Sequence, residues 1–365
     1  MSNEAPPIID ADVHNTFESP EELFPHLARH WQEEIRLNGL ALPHHGFSSP
    51  VGVMRRDAVP DDVVGGPGSS PAFMLKDHLD RFGIHTAILN GSGMLTLSLH
   101  PDPDYGNALS TAINAWMVHK WLAHSPRFRG SIIINHSDPA YAVKEIRKWS
   151  GQPQIAQVLM ASGAPRLFGQ RFYHPIYEAA EEARLPVAIH PGSEGSAAAA
   201  NVTPSGRPTR YFEWHNILPT NYMAHLNSLV CEGVFERFPT LKFVAVEGGI
   251  AWLPHLMWRM DKNYKALRSQ TPWLQRRPSD YIRDHVRVTT QPMEEPDVPQ
   301  HLLQIFEMIA APQMVMFSSD YPHWDFDSPK LSLPPLPKEW KQRIFWDNAA
   351  ALYGLSRPRT TPAQA

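Results

Sequence analysis

Eight short apolar runs recur along this chain, and most are separated by stretches whose apolar residues repeat at helical spacing. The runs span 8–14, 84–90, 129–135, 155–160, 186–190, 241–247, 285–290 and 314–320. They are nearly continuous in apolar character, without the alternation of a half-exposed strand. Strands buried on both faces of a parallel sheet have that composition. Between them, 108–122, 174–185, 219–238 and 300–311 space their apolar residues along one helical face. Asp138-Pro139 supplies an N-cap with proline in the first turn and starts a further helix over 140–149. Repeated alternation of strand and helix predicts an α/β fold, a (β/α)8 TIM-type barrel. The alternative is an open doubly wound sheet, but no Gly-x-Gly-x-x-Gly turn follows an early strand.

Two segments interrupt the repeat. Residues 36–76 are rich in glycine and proline, and residues 191–218 follow the fifth run. Both leave the C-terminal ends of their strands, the catalytic face of such a barrel. They are expected to fold over that face as lid-like insertions within one domain spanning 1–355. Residues 356–365 are polar, carry proline and are expected to be a disordered tail.

Composition narrows the partners. A net charge of −4 carries no polybasic signature, so neither nucleic acid nor a membrane surface is an expected partner. No apolar run approaches the length that spans a bilayer, and Met1-Ser2-Asn3-Glu4 lacks the basic start of a signal peptide. The expectation is a cytoplasmic protein. Its single cysteine, Cys231, forbids an intrachain disulfide and is expected to be a buried structural thiol. Nineteen histidines and eleven tryptophans suit aromatic loops around a metal pocket.

The candidate chemistry sits at strand ends. Asp12 and His14 lie two apart on one run, so their side chains share a face. A charged pair aimed into a barrel is costly unless it is paired or holds a metal. His190 ends the fifth run, Glu247 the sixth and Asp320 the eighth. Together Asp12, His14, His190, Asp320 and Glu247 form a ligand set for one or two divalent ions, Zn, Mn or Fe. Glu247 could ligate, bridge two ions or act as general acid/base. His215, His225 and His323 are further candidates. Any of them could orient a ligand or carry a proton, and His215 or His323 could complete a second metal site. The catalytic candidates are Asp320, Glu247 and His225. His44, His45, His100 and His255 are less well placed.

These residues resemble a known family. Ile9-Asp10-Ala11-Asp12-Val13-His14 is similar to the first-strand metal motif of the amidohydrolase superfamily. The resemblance is to the branch related to aminocarboxymuconate-semialdehyde decarboxylase. It extends through Val246-Glu247-Gly248-Gly249, Trp252-Leu253-Pro254 and Trp258-Arg259-Met260-Asp261. Phe317 to Asp325 and Asn348 to Leu355 carry it to the C-terminal end. The resemblance implies a distorted barrel with one or two metals at the strand ends. It implies that Asp12, His14 and His190 are ligands, and that Asp320 binds metal and handles the proton of an activated water. Two departures stand out. The first-strand pair is Asp-x-His rather than His-x-His, and Glu247 replaces the sixth-strand histidine of the similar decarboxylases. The implied activity is a metal-dependent hydrolase or non-oxidative decarboxylase acting on a small carboxylate-bearing, cyclic or aromatic substrate. A dinuclear Fe or Mn oxygenase using O2 is the alternative, and an inactive partner subunit is a third. The expected partners are the small-molecule substrate and further copies of the chain, as a homo-oligomer such as a dimer.

Overall fold

A computed structural model describes residues 7–44, 46–192, 194–195 and 206–357. The expectations for residues 1–6, His45, much of the 191–218 insertion and the tail from 358 lie outside the described residues.

Eight parallel strands follow one another around the sheet in sequence order. They are β1 Ile8–Val13, β2 Ile84–Leu89, β3 Phe128–Ile133, β4 Ile155–Ala161, β5 Val187–His190, β6 Phe243–Ala245, β7 Val286–Thr289 and β8 Val315–Met316. β-Branched residues such as Ile88, Ile132, Val158, Ile189 and Val288 dominate, and each is fully buried. The ring closes where β1 meets the chain leaving β8. The Ala11 N–H donates to the Phe317 carbonyl at 2.9 Å and the His14 N–H to the Tyr321 carbonyl at 2.7 Å. This is the expected (β/α)8 barrel.

Helices cover the outside. Ile132, Val158 and Val187 share one core cluster with Ile176, Leu229 and Leu253. Ile9, Ile88 and Leu89 share another with Leu109, Trp121 and Trp346. Asp138 does cap the helix Pro139–Trp149, accepting from the Tyr141 N–H. Some boundaries differ from expectation. The helix expected over 219–238 is two, Pro219–Cys231 and Val234–Arg237, because Gly233 takes a φ of 72° between them. Strands six and eight are shorter than their apolar runs. Their last residues turn out of the ladder to reach the site. Cys231 is partly rather than fully buried, at the end of its helix. No helix among the described residues is long and apolar enough to cross a membrane.

Candidate active site

β1 carries Asp12 and is followed by His14, and β5 ends on His190. Glu247 and Asp320 lie just beyond β6 and β8. Both take a φ of 58°, the left-handed region. That conformation costs a side-chain-bearing residue roughly 1–2 kcal/mol and persists only where its surroundings impose it. The Glu247 N–H is held by Thr289 Oγ1 at 3.0 Å, and the Asp320 N–H by the Asp12 carbonyl at 3.1 Å.

These turns bring the side chains together. Asp12, His14, His190 and Glu247 offer ligand atoms within 4.8 Å of one another, as do His14, Glu247, Asp320 and His323. His14 Nε2 lies 3.3 Å from Asp12 Oδ1 and 2.8 Å from Asp320 Oδ1. His190 Nε2 lies 3.4 Å from Asp12 Oδ2 and 3.0 Å from Glu247 Oε2. The far side of each ring is anchored. His14 Nδ1–H donates to the Gly91 carbonyl at 2.5 Å and His190 Nδ1–H to the Pro191 carbonyl at 2.8 Å. With Nδ1 protonated, a neutral ring presents its Nε2 lone pair inward. Asp12 Oδ2, His14 Nε2 and His190 Nε2 are all buried without a hydrogen-bond partner. Orphaned atoms of this chemistry, converging on one point, fit a divalent cation.

Electrostatics agree. Burial works against charge on Asp12, but His14 and His190 outweigh it and hold the carboxyl well below the usual range. Burial likewise opposes charge on His190, yet Asp12 and Glu247 lift it to about 10. The cluster therefore demands positive charge, which a bound cation could supply in place of the imidazole protons. Burial and then the Glu247 carboxylate push Asp320 up to about 8. Burial and then His14 press His323 down to about 3.

A second layer orients the first. Asn90 Nδ2 donates to Asp12 Oδ1 at 2.7 Å. The Asn90 Oδ1 in turn accepts from Ser131 Oγ at 2.6 Å and Gln157 Nε2 at 3.0 Å. Asp10 is wholly buried and accepts from the Ser319 N–H at 2.9 Å, Ser319 Oγ at 2.5 Å and His78 Nε2 at 2.8 Å. His78 stacks on Tyr321, with centroids 4.3 Å apart. Asp10 thereby grips the residue before Asp320, and His78 the residue after it.

A cavity of about 400 Å³ opens on the cluster. Leu42, Pro43, His44 and Val53 wall it from the first insertion, and Tyr211, Trp214 and His215 from the second. Gly91, Leu95, Thr96, Trp324 and Asp325 contribute further wall, and no lysine or arginine is among the described lining residues.

The family can now be placed. The amidohydrolase family model matches residues 9–355. The chain belongs to the amidohydrolase family. Solved structures share the fold at low identity. One is an amidohydrolase from Mycobacterium avium subsp. paratuberculosis, 22% identical with a TM-score of 0.72, covering 96% of this chain and 100% of its own. A 5-carboxyvanillate decarboxylase from Novosphingobium aromaticivorans, complexed with manganese and 4-hydroxy-3-methoxy-5-nitrobenzoic acid, is 18% identical with a TM-score of 0.70, covering 97% of each chain. A dihydroxybenzoic acid decarboxylase from Polaromonas sp., with bound manganese and 2-nitroresorcinol, is 20% identical. Its TM-score is 0.66, over 97% of this chain and 98% of its own. Comparison with curated protein sequences finds no significant match.

Against this amidohydrolase site, the sequence-derived candidates divide. Asp12, His14, His190, Glu247 and Asp320 converge, and His323 joins them, its Nδ1 2.7 Å from Asp320 Oδ1. His215 lines the cavity, with Nε2 3.6 Å from Asp325 Oδ2, but belongs to neither ligand group. His225 is not brought to the cluster. Its Nε2 donates to the Ser162 carbonyl at 2.7 Å and its Nδ1 accepts from the Phe168 N–H at 3.2 Å. Both nitrogens serve the backbone, and burial depresses its pKa to about 4, so it is a neutral structural imidazole. His44, ranked low from sequence, lines the cavity. Asp10, Asn90 and Asp325 were missed. Asn90 carried a signal, a polar residue ending the second apolar run.

Proposed function

We propose that this amidohydrolase is a divalent-cation-dependent, non-oxidative decarboxylase of small aromatic carboxylates. The carrying observation is the set of inward, unpartnered atoms of Asp12, His14 and His190 at the floor of an aromatic-walled cavity that offers no lysine or arginine. With no lysine or arginine among the described lining residues, that cluster is where a substrate carboxylate would find compensating positive charge. When bound, the cation supplies the charge that anchors and polarises that carboxylate. The donor set of two carboxylates and two imidazoles is harder than a thiolate site and suits Mn or Fe at least as well as Zn. Decarboxylases of dihydroxybenzoate and carboxyvanillate that share the fold, two with manganese, support the reading.

The residues of the chain then have distinct tasks. Trp214, Trp324 and Tyr211 flank the ring and limit water access, which favours loss of neutral CO2 from a charged carboxylate. Asp320 delivers the proton that replaces CO2 at the ring carbon. Burial and the neighbouring Glu247 favour its protonated form, and His323 Nδ1, at 2.7 Å, steadies the carboxyl. The balance is one carboxylate and one proton giving arene and CO2.

The test is CO2 release from hydroxybenzoates by manganese-loaded protein, run beside ester hydrolysis and O2 uptake. Asp320→Ala is expected to abolish CO2 release while keeping most bound metal. Hydrolysis without CO2, or O2 consumption with two redox metals per chain, would sink the reading, as would a wild-type rate in the variant. The overlapping group of His14, Glu247, Asp320 and His323 is where a second ion would sit in the oxygenase alternative.

A further inference from the structure

One polar group in the cavity wall is not used by the decarboxylation chemistry. It is Asp325, with its side chain 15% exposed. Asp325 Oδ2 is buried and has no hydrogen-bond partner. The nearest cationic candidate, His215 Nε2, stands 3.6 Å away, outside hydrogen-bond reach. A buried acceptor left unmatched is costly, and native proteins rarely leave one so without a use. The surrounding walls are flat and aromatic. Tyr211 and His215 stack with centroids 5.6 Å apart, and Trp324 Nε1 donates to the Tyr211 hydroxyl at 3.2 Å, fixing that wall. No described lysine or arginine of the cavity competes for Asp325.

We propose that Asp325 is a specificity residue that accepts a hydrogen bond from a donor on the substrate ring. The site then takes aromatic carboxylates bearing a hydroxyl or amino group and rejects those bearing a second carboxylate at the same position. This rests on the aromatic-carboxylate reading above. The ligand's carboxylate is neutralised at the Asp12–His14–His190–Glu247 cluster. A ring substituent that reaches Asp325 meets an unmatched carboxylate oxygen, which rewards a donor and repels an anion. A hydrogen bond to a charged group supports discrimination of about tenfold to a hundredfold, because the mismatched ligand also leaves the carboxylate unpaired.

The experiment is calorimetric binding to manganese-loaded protein at mildly alkaline pH. The probes are 3- and 4-aminobenzoate against their dicarboxylate counterparts, isophthalate and terephthalate. The wild type is expected to prefer at least one aminobenzoate over its counterpart by about tenfold or more, and Asp325→Asn to lose most of that preference. Equal binding of both members of each pair by the wild type overturns the proposal without any variant. So does a preference that survives in Asp325→Asn carrying wild-type manganese. If no benzoate of either kind binds, the aromatic-carboxylate reading itself has failed and takes this inference with it.

Discussion

Replacing Asp10 by asparagine tests whether the site depends on the layer beneath it. Asp10 does not line the cavity and belongs to neither ligand group, yet its carboxylate accepts from Ser319 twice and from His78 once. It also accepts from the Asp12 N–H at 3.3 Å. In Asp10→Asn the retained oxygen can keep the two backbone donors. The amide nitrogen then faces Ser319 Oγ, which can rotate to accept, and His78 Nε2, which cannot unless its proton moves to the unpartnered Nδ1. One mismatched buried donor costs about 1–3 kcal/mol, whereas Asp10→Ala, which strips every acceptor, costs about 3–5 kcal/mol. The functional effect exceeds what that destabilisation alone would produce. Asp10 holds the backbone of Asp12 on one side and of Ser319, next to strained Asp320, on the other. Residues in such supporting positions change metal affinity by about tenfold to a hundredfold. The assay is manganese affinity by competition titration, with thermal unfolding of the metal-free protein alongside. If Asp10→Asn melts earlier but binds manganese within about twofold of wild type, Asp10 is structural only and the positioning argument fails.

Two further perturbations probe the frame. Burial depresses His225 to about 4 and His136 to about 3, against about 6.5 when unfolded. Between about pH 6.5 and 4 these two imidazoles take up protons in the unfolded chain but not in the folded one, so their contribution to stability falls on acidification, about 3 kcal/mol of it from His225, while buried carboxyls such as Asp320 contribute in the opposite direction. His225→Gln, whose amide can serve the same two backbone groups, should remove that contribution, so that its unfolding free energy loses less on acidification than the wild type's across that window; an unchanged slope refutes the assignment. Gly249 takes a φ of 65°, and a Cβ there would lie 2.7 Å from Glu294 Oε1. Glu294 accepts from the N–H groups of Ile250 and Ala251 at 3.0 and 3.1 Å, so Gly249→Ala strains the turn that carries Glu247. Denaturant midpoints should show a loss of about 1–3 kcal/mol, while Gly151→Ala, with open space around it, stays within about 0.5 kcal/mol.

Much of the barrel, and the convergence of its strand-end carboxylates and imidazoles, was legible because both obey local rules. Buried parallel strands write themselves as apolar runs, and Asp12, His14, His190, Glu247 and Asp320 stand where those runs stop. Residues outside that rule were misread or missed. His225 lies on a helix, where a histidine serving backbone carbonyls looks the same in sequence as one reaching a pocket. Asp325 and His44 lie in loops, and Tyr211 opens a short helix at the end of one, so no periodicity encodes their arrival at the cavity. Asp10 shares the parity of Asp12 and His14, but the β1–β2 register shifts between Asp10 and Val13. The period of two does not carry through, and Asp10 bonds to His78 instead of joining the cluster.

The seam between β1 and the chain after β8 has a consequence for biosynthesis. Asp12 leaves the ribosome about 300 residues ahead of Asp320. The hydrogen bonds that close the ring, and the grip of Asp10 on Ser319, form only when both are free to meet. A nascent chain halted before β8 has neither Asp320 nor a closed floor beneath His14. The ligand-type side chains therefore assemble only once β8 and the turn beyond it have been made, and a molecule with the whole cluster is one whose first and eighth strands have already found each other.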